Sequence, residues 1–71
     1  MKKELMLELL NTKQYKQLHT LLMENNTVDI AYLLQQIEID DCAIASRLLS
    51  KKKAAQVFSN MDIKTQSQLV E

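Results

Sequence analysis

Apolar residues recur at positions i, i+1, i+3 and i+4 in three stretches set 24 residues apart. The first is Met6, Leu7, Leu9 and Leu10. The second is Ile30, Ala31, Leu33 and Leu34, followed by Ile37. The third is Ala54, Ala55, Val57 and Phe58, followed by Met61. Such spacing lays one apolar stripe along an α-helix. A second set at the same interval runs through Leu21, Ala45 and Leu69, and through Tyr15, Ile39 and Ile63. Two interleaved stripes with one period predict a stack of helical pairs, each pair too small to bury its apolar face alone.

The polar positions between the stripes punctuate six expected helices. The first runs from about Lys2 to Leu10. Asn11 reads as the N-cap of the second, with Gln14 as its capping-box partner, and that helix reaches about Glu24. Asn26 or Thr27 caps the third, which has Asp29 in its first turn and ends near Ile37. Asp40 reads as the cap of the fourth, Ser50 of the fifth, which reaches about Met61, and Asp62 of the sixth. Turns of two to four residues predict that consecutive helices pack as neighbours. The expected core comprises Leu33, Leu34, Leu48, Leu49, Val57 and Phe58. Full burial would make Phe58→Ala cost about 3–5 kcal/mol. By register, the repeats of Leu48 and Leu49 fall just past Glu71, so residues 1–71 are expected to form one helical domain that is an incomplete fragment of a larger one.

Composition sharpens this all-α picture. The chain has 71 residues with no Gly and no Pro, where average usage would give about 5 and about 3–4. Hairpins, bulges and glycine-rich phosphate loops need positive φ or close backbone approach, and are therefore disfavoured. Cys42 is the sole cysteine, which excludes an internal disulfide and fits a reducing compartment. Nine basic and nine acidic side chains balance to zero, so there is no general attraction to nucleic acid or to an anionic membrane. No apolar run approaches the roughly 20 residues of a membrane span. Met1-Lys2-Lys3 is followed by an apolar stretch broken at Glu8, which does not make a signal peptide.

From Thr27 onward the order of short motifs becomes specific. Asp29-Ile30-Ala31-Tyr32-Leu33-Leu34 is followed by Arg47-Leu48-Leu49, then Lys53-Ala54-Ala55-Gln56-Val57-Phe58, then Met61-Asp62 and Gln66. This series resembles the N-terminal cytosolic domain of MgtE-type magnesium transporters, which shows D-x-A-x-L-L, R-L-L, A-A-x-V-F and L-D-x-x-x-Q stretches in that order. Glu8-Leu9-Leu10 and the segment Leu18 to Glu24 also fit its start. Thr27 and Ser50 stand where the family often has Pro.

The resemblance implies an armadillo-like superhelix of short helices on the cytosolic face of the cell membrane. In the family this domain precedes paired CBS domains and a transmembrane pore in the same polypeptide, and members work as dimers. Magnesium bound between the N and CBS domains holds a closed arrangement. The domain modulates gating and carries out no chemistry, so no enzyme activity is expected.

Candidate ligands for Mg2+ are Glu38, Asp40, Asp41 and Asp62. Magnesium prefers oxygen and uses only one or two carboxylates beside its waters, so these residues could contribute to a shared interdomain site. The plainer reading makes Asp40 and Asp62 helix caps and leaves the others solvated. The EF-hand pattern is absent. Lys51-Lys52-Lys53 opens the fifth helix against its dipole; an acidic partner is one reading and a solvated run the plainer one. His19 lies beside the apolar stripe without a metal-spaced companion. Cys42 could feel a helix dipole, but the plainer reading is a small buried residue. Tyr15 and Tyr32 read as amphipathic boundary residues.

The resulting expectation is a regulatory N-terminal domain of a magnesium transporter. The first alternative is a helical protein-interaction module, like the arrays of the flagellar motor switch or of adaptors. The second is a small stand-alone protein that self-associates over unfinished apolar surface at the sixth helix.

Overall fold

The computed structural model describes residues 3–70, which form six α-helices: α1 (Lys3–Asn11), α2 (Tyr15–Met23), α3 (Thr27–Leu34), α4 (Ile39–Arg47), α5 (Lys51–Ser59) and α6 (Ile63–Leu69). The start expected at Lys2 lies outside the described residues. Every helix is too short to be stable in water alone, so packing of the stripes holds them. Helix α1 packs on α2. The closest further contacts join α3 to α5 and α4 to α6. Equivalent helices of successive pairs therefore meet directly, whereas of the expected consecutive pairings only α1 on α2 is among the principal contacts. The radius of gyration is 10.9 Å, close to the about 11 Å of a compact domain of this length. Three pairs are too few for an elongated solenoid.

The core runs continuously through all three pairs. Met6, Leu18, Leu22, Ile30, Leu34, Cys42 and Ala45 are fully buried, and Leu9, Leu10, Ala31, Leu33, Leu49, Val57 and Met61 nearly so. Two expected core residues depart from this. Leu48 follows the end of α4 and is half-buried against the cluster. Phe58 is only half-buried, because no helix among the described residues covers its side of α5. Its counterpart one repeat earlier, Leu34, sits on α3, against which α5 packs.

Three of the expected caps form. Asn26, Ser50 and Asp62 take extended backbone angles, and each side-chain oxygen accepts the N–H three residues on, from Asp29, Lys53 and Thr65. Two others are corrected. Asn11 is the last residue of α1, and Gln14 stands at the N-cap position of α2 without a side-chain cap bond. The reason is a Schellman closure of α1: Gln14 N–H donates to Leu9 O at 2.9 Å and Lys13 N–H to Leu10 O at 3.1 Å. Lys13 takes the left-handed conformation, φ 57°, that this motif requires. The fourth helix starts at Ile39 rather than after Asp40: Cys42 N–H already donates to Glu38 O, so Glu38 holds the N-cap position and Asp40 lies in the first turn. Helices α3 and α5 stop at Leu34 and Ser59, short of the expected Ile37 and Met61.

Polar side chains tie the pairs together across 27–30 residues of sequence. His19 Nδ1 donates to Leu48 O at 2.5 Å, which requires a proton on Nδ1. Lys53 Nζ donates to Met23 O at 2.9 Å and so places a cation at the C-terminus of α2, where the dipole favours it. Asp62 N–H donates to Gln35 Oε1. The Asp62 carboxyl sits below the ordinary carboxylate range, chiefly because the Thr65 backbone N–H bonds it, then through the Thr65 hydroxyl and nearby Lys64.

Three outcomes follow from this packing. Leu34→Ala should cost about 2–5 kcal/mol in urea unfolding and Phe58→Ala distinctly less; equal losses would mean Phe58 is covered after all. Lys13→Gly should raise the melting temperature, since left-handed backbone costs a non-glycine residue about 1–2 kcal/mol; an unchanged or lower temperature would remove the strain argument. For Asp62 the folded pKa lies below the unfolded one. Its stabilising effect is therefore complete above the usual carboxylate pKa of about 4 and is lost as pH falls through the depressed folded value. Asp62→Asn, which keeps a capping oxygen, should flatten that part of a melting-versus-pH curve.

Candidate functional site

The candidate carboxylates sit at the N-termini of the even helices, because the repeat places their turns in register. Glu38 precedes α4 and Asp62 precedes α6, 24 residues apart. Glu38, Asp40 and Asp62 are exposed, and Asp41 is half-buried. The Gln35–Asp62 hydrogen bond brings the α3–α4 turn against the start of α6. Between them lies a polar groove of about 330 Å³ lined by Gln35, Gln36, Glu38, Thr65 and Gln68, among others. Of the four candidates only Glu38 lines it. Asp40 and Asp41 lie in the first turn of α4, and Asp62 is engaged by Thr65. Among the described residues, no three His, Cys, Asp or Glu side chains converge to hold a metal ion.

Two of the remaining candidates have packing roles that the sequence reading did not reach. His19 and Lys53 are cross-repeat ties. Their partners are backbone carbonyls, which carry no residue signature; only the repeat register could have hinted at the pairing. Lys51 and Lys52 are exposed. Cys42 is fully buried, and burial pushes its thiol pKa up, outweighing the Ser46 hydrogen bond that lowers it. Desolvation thus overrides the helix dipole, and a protonated thiol is a poor nucleophile. Tyr15 is half-buried at the core edge, whereas Tyr32 is 66% exposed.

A second groove, of about 350 Å³, opens between α4, α5 and α6 and is mainly apolar, with Ala55, Phe58 and Leu69 in its wall and Arg47 beside them. Sequence patterning marked Ala55 and Phe58 as stripe residues without showing that their face stays open.

No helix among the described residues is long and apolar enough to cross a membrane. No curated protein and no solved structure matches the chain at a significant level. A family model does match: that of the MgtE intracellular N domain, over residues 25–71. The match takes in α3 to α6, with the capped turns at Asn26, Ser50 and Asp62. Helices α1 and α2 precede it but carry the same 24-residue stripe. Both the all-helical fold and a match spanning well over half its residues lead to one conclusion: the chain belongs to the MgtE intracellular N domain family.

Proposed function

We propose that this chain is the regulatory N-terminal segment of a magnesium transporter, located at the cytosolic face of the membrane, where it modulates gating in response to intracellular Mg2+. The observation that carries this reading is the family match over residues 25–71. The family is one of transporters rather than enzymes. The titratable groups point the same way. Cys42 is buried with a raised thiol pKa, and His19 and Lys53 are engaged in holding helices together.

Mg2+ is the effector in this reading. The residues fit it only as part of a larger site. Glu38, Asp40 and Asp62 are exposed at two helix N-termini, Asp62 with one oxygen held by the Thr65 N–H, but no three such groups converge among the described residues. One or two of them, with waters, meet the cation's demand for oxygen ligands. The remaining ligands would come from another surface, such as CBS domains of the same polypeptide. The ion would then bridge two bodies and favour their closed arrangement. Polypeptides of this kind would pair as homodimers, with the helical segment outside the membrane.

The mechanism is linkage. An ion bound only when two surfaces approach shifts the equilibrium toward that approach by its differential affinity. Binding to this chain alone should therefore be weak.

The test is Mg2+-dependent closure of the complete native polypeptide in proteoliposomes, with and without Glu38→Gln/Asp40→Asn/Asp62→Asn. The triple variant should raise the Mg2+ concentration needed for half-closure by about threefold or more, about 0.65 kcal/mol or more of coupling by the tenfold-per-1.4-kcal/mol scale. An unchanged concentration, or a native polypeptide that does not transport Mg2+, would overturn the proposal.

A further inference from the structure

The outward faces of the odd helices keep the repeat in position but break it in chemistry. On α3 the outward side carries Val28 and Tyr32, an i, i+4 pair that is 61% and 66% exposed. Shifting by 24 residues gives Glu4 and Glu8 on α1, and Lys52 and Gln56 on α5, all of them exposed. Polar residues serve at these places in two of the three repeats, so packing within the chain does not explain the apolar pair on α3. Helix α5 lies against α3 in register: Lys53, next to Lys52, reaches Met23 O just before α3 begins. In repeat order the outward face thus runs from acid on α1, through apolar on α3, to base on α5. Further repeats would extend this row beyond α5 and leave the outer side of α3 as it is.

We propose that this face pairs with the same face of a second copy of the chain, about a two-fold axis that runs along α3. Such an axis sets Val28 and Tyr32 against their own counterparts and reverses the row, so that α1 of each copy faces α5 of the other. The rotation keeps height along the axis. Glu4 therefore meets Lys52 and Glu8 meets the Gln56 amide, each contact occurring twice. An axis across the row would instead set Lys52 against Lys52 and Glu4 against Glu4, so charge selects the first arrangement. Charge also selects the occupant. An acidic peptide or an anionic membrane drawn to Lys52 would meet Glu4 and Glu8 on the same face. A second copy presents the opposite order by symmetry. The apolar centre is two side chains per copy, which makes this a weak, concentration-dependent pair and not an obligate dimer. The inference concerns contacts of the helical segment itself and is independent of any role in magnesium transport.

The test is sedimentation equilibrium of the chain from micromolar to millimolar concentration, with amide shifts followed over the same range. A monomer–dimer equilibrium should appear, with shifts centred on Val28, Tyr32 and Lys52. Tyr32→Glu changes an exposed residue and should leave a monomer with an unchanged melting temperature. Glu4→Lys and Lys52→Glu should each weaken self-association about two- to twentyfold, because two exposed ion pairs, each of about fivefold or less, become like-charge contacts. Mixed in equal amounts, these two variants should pair at least as tightly as the unchanged chain, since both contacts across the axis are attractive again. Glu24→Lys and Lys16→Glu make the same changes in net charge at exposed places off this face, and each should self-associate like the unchanged chain. A chain that stays monomeric at millimolar concentration would overturn the proposal. So would association that survives Tyr32→Glu, shifts centred on Ala55, Phe58 and Val70, or equal weakening by the two variants off the face.

Discussion

Burial across the repeat is the constraint on which this structure depends. Among the described residues no helix is longer than nine residues, and none carries enough apolar surface to close a core with its own partner alone. The stripe on α3 becomes interior because α5 lies on it. Hydrophobic stabilisation is therefore gained between units more than within them. That explains why the second stripe is buried at Ile30, Ala31, Leu33 and Leu34 while its equivalents one repeat later remain partly open, above all at Ala55 and Phe58.

Hydrogen bonding follows the same logic. The helices are capped locally, at Asn26, Ser50 and Asp62, and are tied to each other distantly, through His19, Gln35 and Lys53. Lys53 takes part in both kinds of bond: its N–H is received by the Ser50 cap, and its Nζ closes the end of α2. The apparent conflict of three lysines opening a helix is thereby partly resolved. One of the charges is spent on a neighbouring helix C-terminus, where it is favourable.

Much of the fold was legible because the stripe period and the short polar side chains before each helix act locally. Six helices, the 24-residue pairing and the caps at Asn26, Ser50 and Asp62 all came from such signals. Asn11 misled because a Schellman closure at Lys13 kept it helical, and without a glycine nothing in the sequence announced a left-handed residue. Asp40 misled because Glu38 started the helix through its carbonyl, not its side chain. Phe58 misled because a stripe states which face is apolar and not whether another helix covers it. The candidate carboxylates were legible as an acidic, turn-rich surface. Their failure to converge was not, because that depends on how far apart α4 and α6 begin in space. The proposed Mg2+ role accordingly rests on a second surface outside the described residues.

The ties between units also make the architecture unevenly sensitive to mutation. In two of them a side chain reaches a backbone carbonyl, His19 to Leu48 and Lys53 to Met23, and in the third Gln35 receives the N–H of Asp62. One end of each bond is thus an atom that nearly every residue possesses. Substitutions at Met23 or Leu48 leave the acceptor in place, whereas changes at His19, Lys53 or Gln35 delete the bond outright. Descendants of such a chain can drift at one end of every tie without cost to the bond itself, so that the sequence can diverge far while the stack of helices stays the same.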